Sequence, residues 1–567
     1  MSTPYRPARI IRTHVVALVS ALVAAGAFTS PVSVAPVAAQ ETHGAHGGVK
    51  SAADGADQAR VIPGLGNYRR RIGNATPQAQ AWFNQGLQLA YAFNHAEALL
   101  SFREAARLDP RCAMCEWGIA YVLGPNINAP MDTAAYAAAH AAVTRARGLV
   151  RDGNVFEGQL IKALSERYTP SAPAGGRAAL DSAYASAMRE VAARWRDDAD
   201  AATLHAESVM LLSPWTYWSA DAKPLPGTPQ LLSSLERAMR IDRKHPGACH
   251  YFIHAVEAAF PERALPCAER LAALMPGAGH IVHMPGHIYL RVGRYNDAIK
   301  ANEHAVHADE AYLADAGARA GFYAVAYYPH NLHFLGFAAT MAGRTSDALK
   351  AARLAATRIP ADAAEGAPEL QLLVAYPHLT LTAFGRWDEA AREPLPAPAL
   401  RVATALAWYG RGVAAARTGH PAAASAALDT VRTIGSTEAR YPVAPVLTIA
   451  RLVLESEIAA ATGQRAVGIE RLKAAVLVED SLTYMEPPYW SQPVRQLLGS
   501  ALVAAGRPAE AEGHFRADLR RFPDNVWSLS GLAQSLVASG KVKEAEEVRS
   551  RLRTVTRNAE TAKGSPR

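Results

Sequence analysis

Ala79–Pro110, AQAWFNQGLQLAYAFNHAEALLSFREAARLDP, decides the fold. Apolar and small residues recur in it at three- and four-residue spacing, the period of a helix face, and no alternating stretch suggests a strand. Gly86 and Ala98 put small side chains where two helices of a hairpin would touch, and Pro110 ends the second helix. Thr76-Pro77, just upstream, is a helix-start signal: a capping hydroxyl followed by proline in the first turn.

The same intervals return along the chain. Gly286, Tyr289, Ala298 and Ala305 keep them, as do Gly336, Ala348, Ala355 and Pro360. Gly412 with Ala424, and Gly499 with Ala511, Phe515 and Pro523, follow, and a weaker unit begins at Trp527. The set Trp82, Gly86, Leu89, Ala98, Phe102, Ala105, Pro110 resembles the tetratricopeptide repeat (TPR) family, whose unit is a hairpin of about 34 residues. The resemblance covers most of residues 76–555, with degenerate units expected over 112–260. It implies an all-α fold, an α-solenoid of helix-turn-helix repeats, with a concave groove that in many such proteins holds a peptide or protein partner.

The ends differ from this body. Arg6, Arg9 and Arg12 precede the apolar run VVALVSALVAAGAF and the small residues PVSVAPVAAQ. That order predicts an export signal over 1–39, cleaved near Ala39, and a periplasmic or secreted protein. The run is too short for a spanning helix, which needs about 20 residues. Residues 40–75 are small, polar and Gly-rich and are expected to be a disordered leader. The body then divides into an N-terminal repeat region (76–244), a central one (245–420) and a C-terminal one (421–557), with a disordered tail at 558–567.

Composition excludes several classes. Loss of the three signal arginines would take the formal charge from +8 to +5, and no basic block follows, so nucleic acid is not an expected partner. Cys112 with Cys115, and Cys249 with Cys267, are local pairs suited to structural disulfides in an oxidising compartment. HYFIH has Tyr251 where a zinc-protease motif needs glutamate, and no nucleophile elbow or phosphate-binding glycine loop occurs.

One feature does not follow from packing. Ten of the nineteen histidines lie between His245 and His333, where uniform scatter would put roughly three. Aligned on Gly286 and Gly336, His280 and His330 share one repeat position and His283 and His333 another, with His287 one turn further on. The family resemblance implies that these positions of the first helix face the groove. His250, His254 and Glu257 follow at i, i+4 and i+7, one face of a third helix. A transition-metal site for copper, zinc or iron is therefore expected from His250, His254, His280, His283, His287, His330 and His333, with Glu257 as ligand or base. Pro285 leaves two arrangements open: a helix kinked within the histidine run, or one that starts only at Pro285. Glu486, in the stiff loop YMEPPYW, becomes a second candidate acid if the array curls tightly. The competing expectations are a scaffold holding a peptide, protein or small-molecule ligand in the same groove, and a metal carrier without turnover.

Overall fold

The computed structural model describes residues 58–73, 75–317 and 321–562. The expected export signal, the leader up to residue 57 with His43 and His46, and residues 563–567 lie outside the described residues. Within them the chain is an array of antiparallel helix pairs with no strand, only two isolated bridges. Among the described residues no helix is long and apolar enough to cross a membrane.

The opening hairpin shows why the repeat residues recur. Thr76 caps the Pro77–Tyr91 helix by accepting from Ala79 N–H, and Asn94 caps the returning His95–Leu108 helix by accepting from Glu97 N–H. Phe102 fills the gap between the two helices and the next one: a Cβ on Gly86 would lie 2.7 Å from its ring, and one on Gly118 2.4 Å. Gly499, Phe515 and Gly531 repeat this arrangement at the other end of the chain, with approaches of 2.6 and 2.2 Å. Ala98, Ala105, Ala298, Ala305, Ala348, Ala355, Ala424 and Ala511 are all fully buried, as small residues at helix contacts must be.

The leader needs correction over 58–75. Leu65 and Ile72 are buried, and the glutamines of the Pro77–Tyr91 helix hold the extended backbone on both sides. Gln85 Oε1 accepts from Ile62 N–H (3.0 Å) while its amide donates to the Arg60 carbonyl (2.8 Å), and Gln80 does the same for Ile72 and Arg70. Gly277 N–H donates to the Gly64 carbonyl (2.8 Å). Average composition concealed these anchors. At the other end the last helix, Val542–Ala562, runs past the expected boundary at 557.

The apolar core crosses residue 245 without interruption. One buried cluster extends from Leu65 to Ala348 and includes Phe522, and a second runs from Ile359 to Ala545. The array also closes on itself. Trp527 Nε1–H donates to the Thr340 carbonyl (2.8 Å), Phe522 packs on Phe337, and Arg291 reaches the Arg521 carbonyl (3.3 Å). The end of the first helix likewise meets Pro246–Val256, through Tyr91 and Phe93. Cys112–Cys115 and Cys249–Cys267 are bonded, each with Cα atoms 5.3 Å apart.

Candidate metal centre

Three helices present the imidazoles. His245 caps Pro246–Val256 by accepting from Ala248 N–H, which fixes the helix start and sets His250 and His254 one turn apart on the inner face. Gly279–Arg291 is one helix with Pro285 inside it, so the late start is ruled out and His280, His283 and His287 share a face. Tyr327–Met341 supplies His330 and His333. The face is not an open groove: His250, His254, His280, His283 and His287 are each at most 2% exposed. Closure of the array has roofed them.

The partners of each Nδ1 dictate the tautomers, because a carbonyl or carboxylate oxygen can only accept. His250 Nδ1–H donates to the Tyr91 carbonyl (2.6 Å). His283 Nδ1–H donates to Asn302 Oδ1 (2.8 Å), and the Asn302 amide is oriented by its own bond to the Ala298 carbonyl (2.8 Å). His254 Nδ1–H donates to Glu257 Oε1 (3.1 Å), and His287 Nδ1–H donates to Glu257 Oε2. Four imidazoles thus carry a proton on Nδ1 and turn Nε2 inward.

Those Nε2 atoms converge. His283 Nε2 and His287 Nε2 are 2.8 Å apart, and His250 Nε2 lies 3.2 Å from His280 Nε2. His254 Nε2 and His280 Nδ1 make no hydrogen bond although both are buried. Three sets have donor atoms within 4.8 Å of one another: His250, His254 and His280; His283, His287 and His330; and His254, Glu257 and His287. In the third set both Glu257 oxygens already accept imidazole protons, so its carboxylate orients the two rings. His333 stands apart, its ring against Tyr376 at 4.7 Å, and belongs to none of the sets.

Burial, reinforced by neighbouring imidazoles, pushes His250, His280, His283 and His330 well below the usual imidazole value, and burial alone takes His333 to about 3. His254 is also lowered by burial, against the pull of Glu257. Burial would raise Glu257, but the His287 charge and the hydrogen bonds from His254 and His287 outweigh it and bring the carboxyl to about 2. Burial thus favours the neutral form of His250, His254, His280, His283 and His330, with one ionised carboxylate beside them.

Residues that sequence reasoning passed over complete the centre. Asn302 and the Tyr91 carbonyl orient two rings, and Phe93 stacks on His254 at an interplanar angle of 11°. Trp215 sets its ring edge-on to His254 at 4.9 Å. Both Phe93 (φ 58°) and Trp215 (φ 63°) hold left-handed backbone, which costs a side-chain-bearing residue about 1–2 kcal/mol. For Phe93 this is the turn between the two helices of a repeat, where Gly293 (φ 78°), Gly343 (φ 74°) and Gly506 (φ 73°) stand later in the chain. Glu486 is brought in by the curl: it is buried, its Oε1 lies 3.6 Å from Arg291 Nη1, and its Oε2 has no hydrogen bond. It shares one cavity wall with His254, His280, His287, His330 and His333. Burial raises its carboxyl to about 7 despite Arg291. His304 and His307 are exposed on the Tyr295–Ala316 helix.

Fold and repeat together define a helical-repeat protein with imidazoles buried at its closure. The tetratricopeptide repeat family model matches residues 502–563. No curated protein matches it. Among solved structures it is similar to the human IFIT1 dimer with m7Gppp-AAAA, at 12% identity over 85% of this chain and 91% of that one, TM-score 0.31. It is similar as well to yeast Tom70, at 12% identity over 86% and 92%, TM-score 0.29. Likeness of this degree bears on none of the chemistry of the histidines.

Proposed function

We propose that this is an exported metalloenzyme, periplasmic or secreted, whose buried imidazoles hold copper, iron or zinc. The observation that carries the reading is the pattern of tautomers: Nδ1 atoms fixed by Tyr91, Asn302 and Glu257, with Nε2 atoms facing one another. Fixing the outer nitrogen so that the inner one ligates is how proteins orient metal-binding histidine. Two lone pairs at 2.8 Å repel unless a cation lies between them. With metal–nitrogen bonds of about 2.0–2.1 Å, ligands of one ion stand roughly 2.9–3.4 Å apart, close to the spacings of both pairs. Nitrogen donors without thiolate suit these three metals.

His250, His254 and His280 would hold one ion, and His283, His287 and His330 a second. Bound zinc would supply an activated water, and copper or iron an electron-transfer centre. Glu257 is then a positioning residue, and Glu486, on the cavity wall, is the group placed to exchange a proton with a substrate. His333 would line the substrate side. A scaffold for a peptide would need the histidines open along the groove, and their burial weighs against it. A carrier would bind metal without turnover.

The test is elemental analysis of the mature protein, purified from its exported fraction without a histidine tag. The expectation is one to two equivalents of copper, iron or zinc, lost together in the His254→Ala/His287→Ala double variant. A protein that retains no metal, and takes up added copper, iron and zinc only weakly, would overturn the reading.

A further inference from the structure

The cavity beside the imidazoles has two unlike walls. One is the row of histidine edges. The other is apolar, built from Leu370, Leu373 and Leu379 of the central repeats and from Met485, Pro487 and Tyr489 of the loop that the curl brings over. The cavity volume is about 120 Å³ with an open mouth, on the order of the space that holds a single aromatic ring. A charged ligand would face this wall unpaired, at a cost of several kcal/mol. Besides the histidines and tyrosines the polar lining is Asn128, Glu369, Glu486 and Ser491, fewer groups than a bound peptide backbone would need, each one left unpaired costing about 1–3 kcal/mol.

Two features narrow the ligand further. Tyr327 and Tyr376 add their rings to the wall, and Trp215 closes it beside His254. Aromatic rings packed offset or edge-on to such walls gain beyond the area they bury. Glu486 Oε2, buried in the same cavity, makes no hydrogen bond, although the Tyr484 hydroxyl lies beside the carboxylate. We infer that the cavity takes a neutral small molecule built on an aromatic ring and bearing one hydroxyl, whose O–H donates a hydrogen bond to Glu486 Oε2. The proposal rests on the metalloenzyme reading only in making this molecule a substrate. Binding itself is independent of it.

The experiment uses the mature chain, with 4-propylphenol and its anionic counterpart 4-propylbenzoate as probes, followed by calorimetry, with metal content measured on every sample. The phenol should bind at least tenfold more tightly than the benzoate. Leu373→Trp, which fills the cavity from its apolar wall, should weaken it at least tenfold while metal content stays at the wild-type value, and Leu379→Trp serves if that variant does not fold. Benzoate binding as tightly as phenol, phenol affinity unchanged in the filled variant, or no phenol binding at millimolar concentration would each overturn the inference. Phenol binding by a metal-free wild-type protein would uphold the cavity and remove the metal reading. Metal without phenol binding would do the reverse.

Discussion

His283 and His287 turn their Nε2 atoms toward each other across 2.8 Å, while each Nδ1 already donates its proton outward, to Asn302 and Glu257. Either a proton or a metal ion must lie between them. Burial opposes protonation of His283, and His330 completes a third donor on the same side. A metal ion satisfies all three. The neighbouring set of His250, His254 and His280 repeats the arrangement on its own donors. Two ions per chain are therefore expected at saturation. His283→Ala should leave one, held by the other set, and metal-to-protein ratios by elemental analysis decide it. A ratio unchanged by the substitution would exclude His283 as a ligand.

Glu257 is the shared anchor of the two sets, since its oxygens fix His254 in one and His287 in the other. Glu257→Gln keeps the shape but replaces one acceptor oxygen by an NH₂ group that cannot accept. One imidazole must then turn or change tautomer. Loss of such an orienting partner typically weakens metal binding about 10- to 100-fold. Competition against a chelator of known affinity should show a loss of that size, with the helical circular dichroism unchanged. Wild-type affinity in the variant would mean that the rings are held by packing alone.

Phe102 and Gly86 test the repeat itself. The ring occupies the space that a Gly86 Cβ would enter at 2.7 Å, so Gly86→Ala overpacks the hairpin by an expected 1–3 kcal/mol. Phe102→Leu alone opens a cavity and also destabilises. Because the two side chains compete for one volume, the double variant should be more stable than the sum of the single losses implies. Thermal melts of the four proteins give the coupling directly. Strict additivity would deny the contact.

What the sequence made legible follows from how local each feature is. Spacing over one hairpin is enough to place Trp82 through Pro110, and spacing within one helix puts His280, His283 and His287 on one face. The partition between helices was less legible. His330 and His333 share repeat positions with His280 and His283, yet the offset between neighbouring helices sets the His330 ring 4.9 Å from His283 and turns His333 onto Tyr376. Least legible were the contributions of the curl. The Tyr91 carbonyl lies 159 residues from His250, and Trp527 lies 187 from Thr340. No interval within a repeat encodes contacts of that range. Asn302 left a faint signal, a polar residue on the second helix where the Gly286 repeat requires close packing, since a Gly286 Cβ would lie 2.6 Å from its amide.

The last prediction concerns pH and lies away from the histidines. Glu479 is buried in the C-terminal repeats, where its carboxyl oxygens accept from Val494 N–H at 3.2 Å. Burial raises it to about 7, with Arg521 only partly offsetting the effect. A carboxyl raised on folding stays protonated in the native state after the unfolded chain has ionised. Its contribution to stability is intact below about pH 4.5, falls as pH rises toward 7, and is gone above that. Glu479→Gln keeps an acceptor for Val494 and removes the ionisation. The variant should match wild type at pH 4.5 and exceed it at pH 8, by an amount of the order of 2–3 kcal/mol. Urea unfolding of both proteins at the two pH values measures the difference, and a gap independent of pH would show that Glu479 is already ionised in the folded chain.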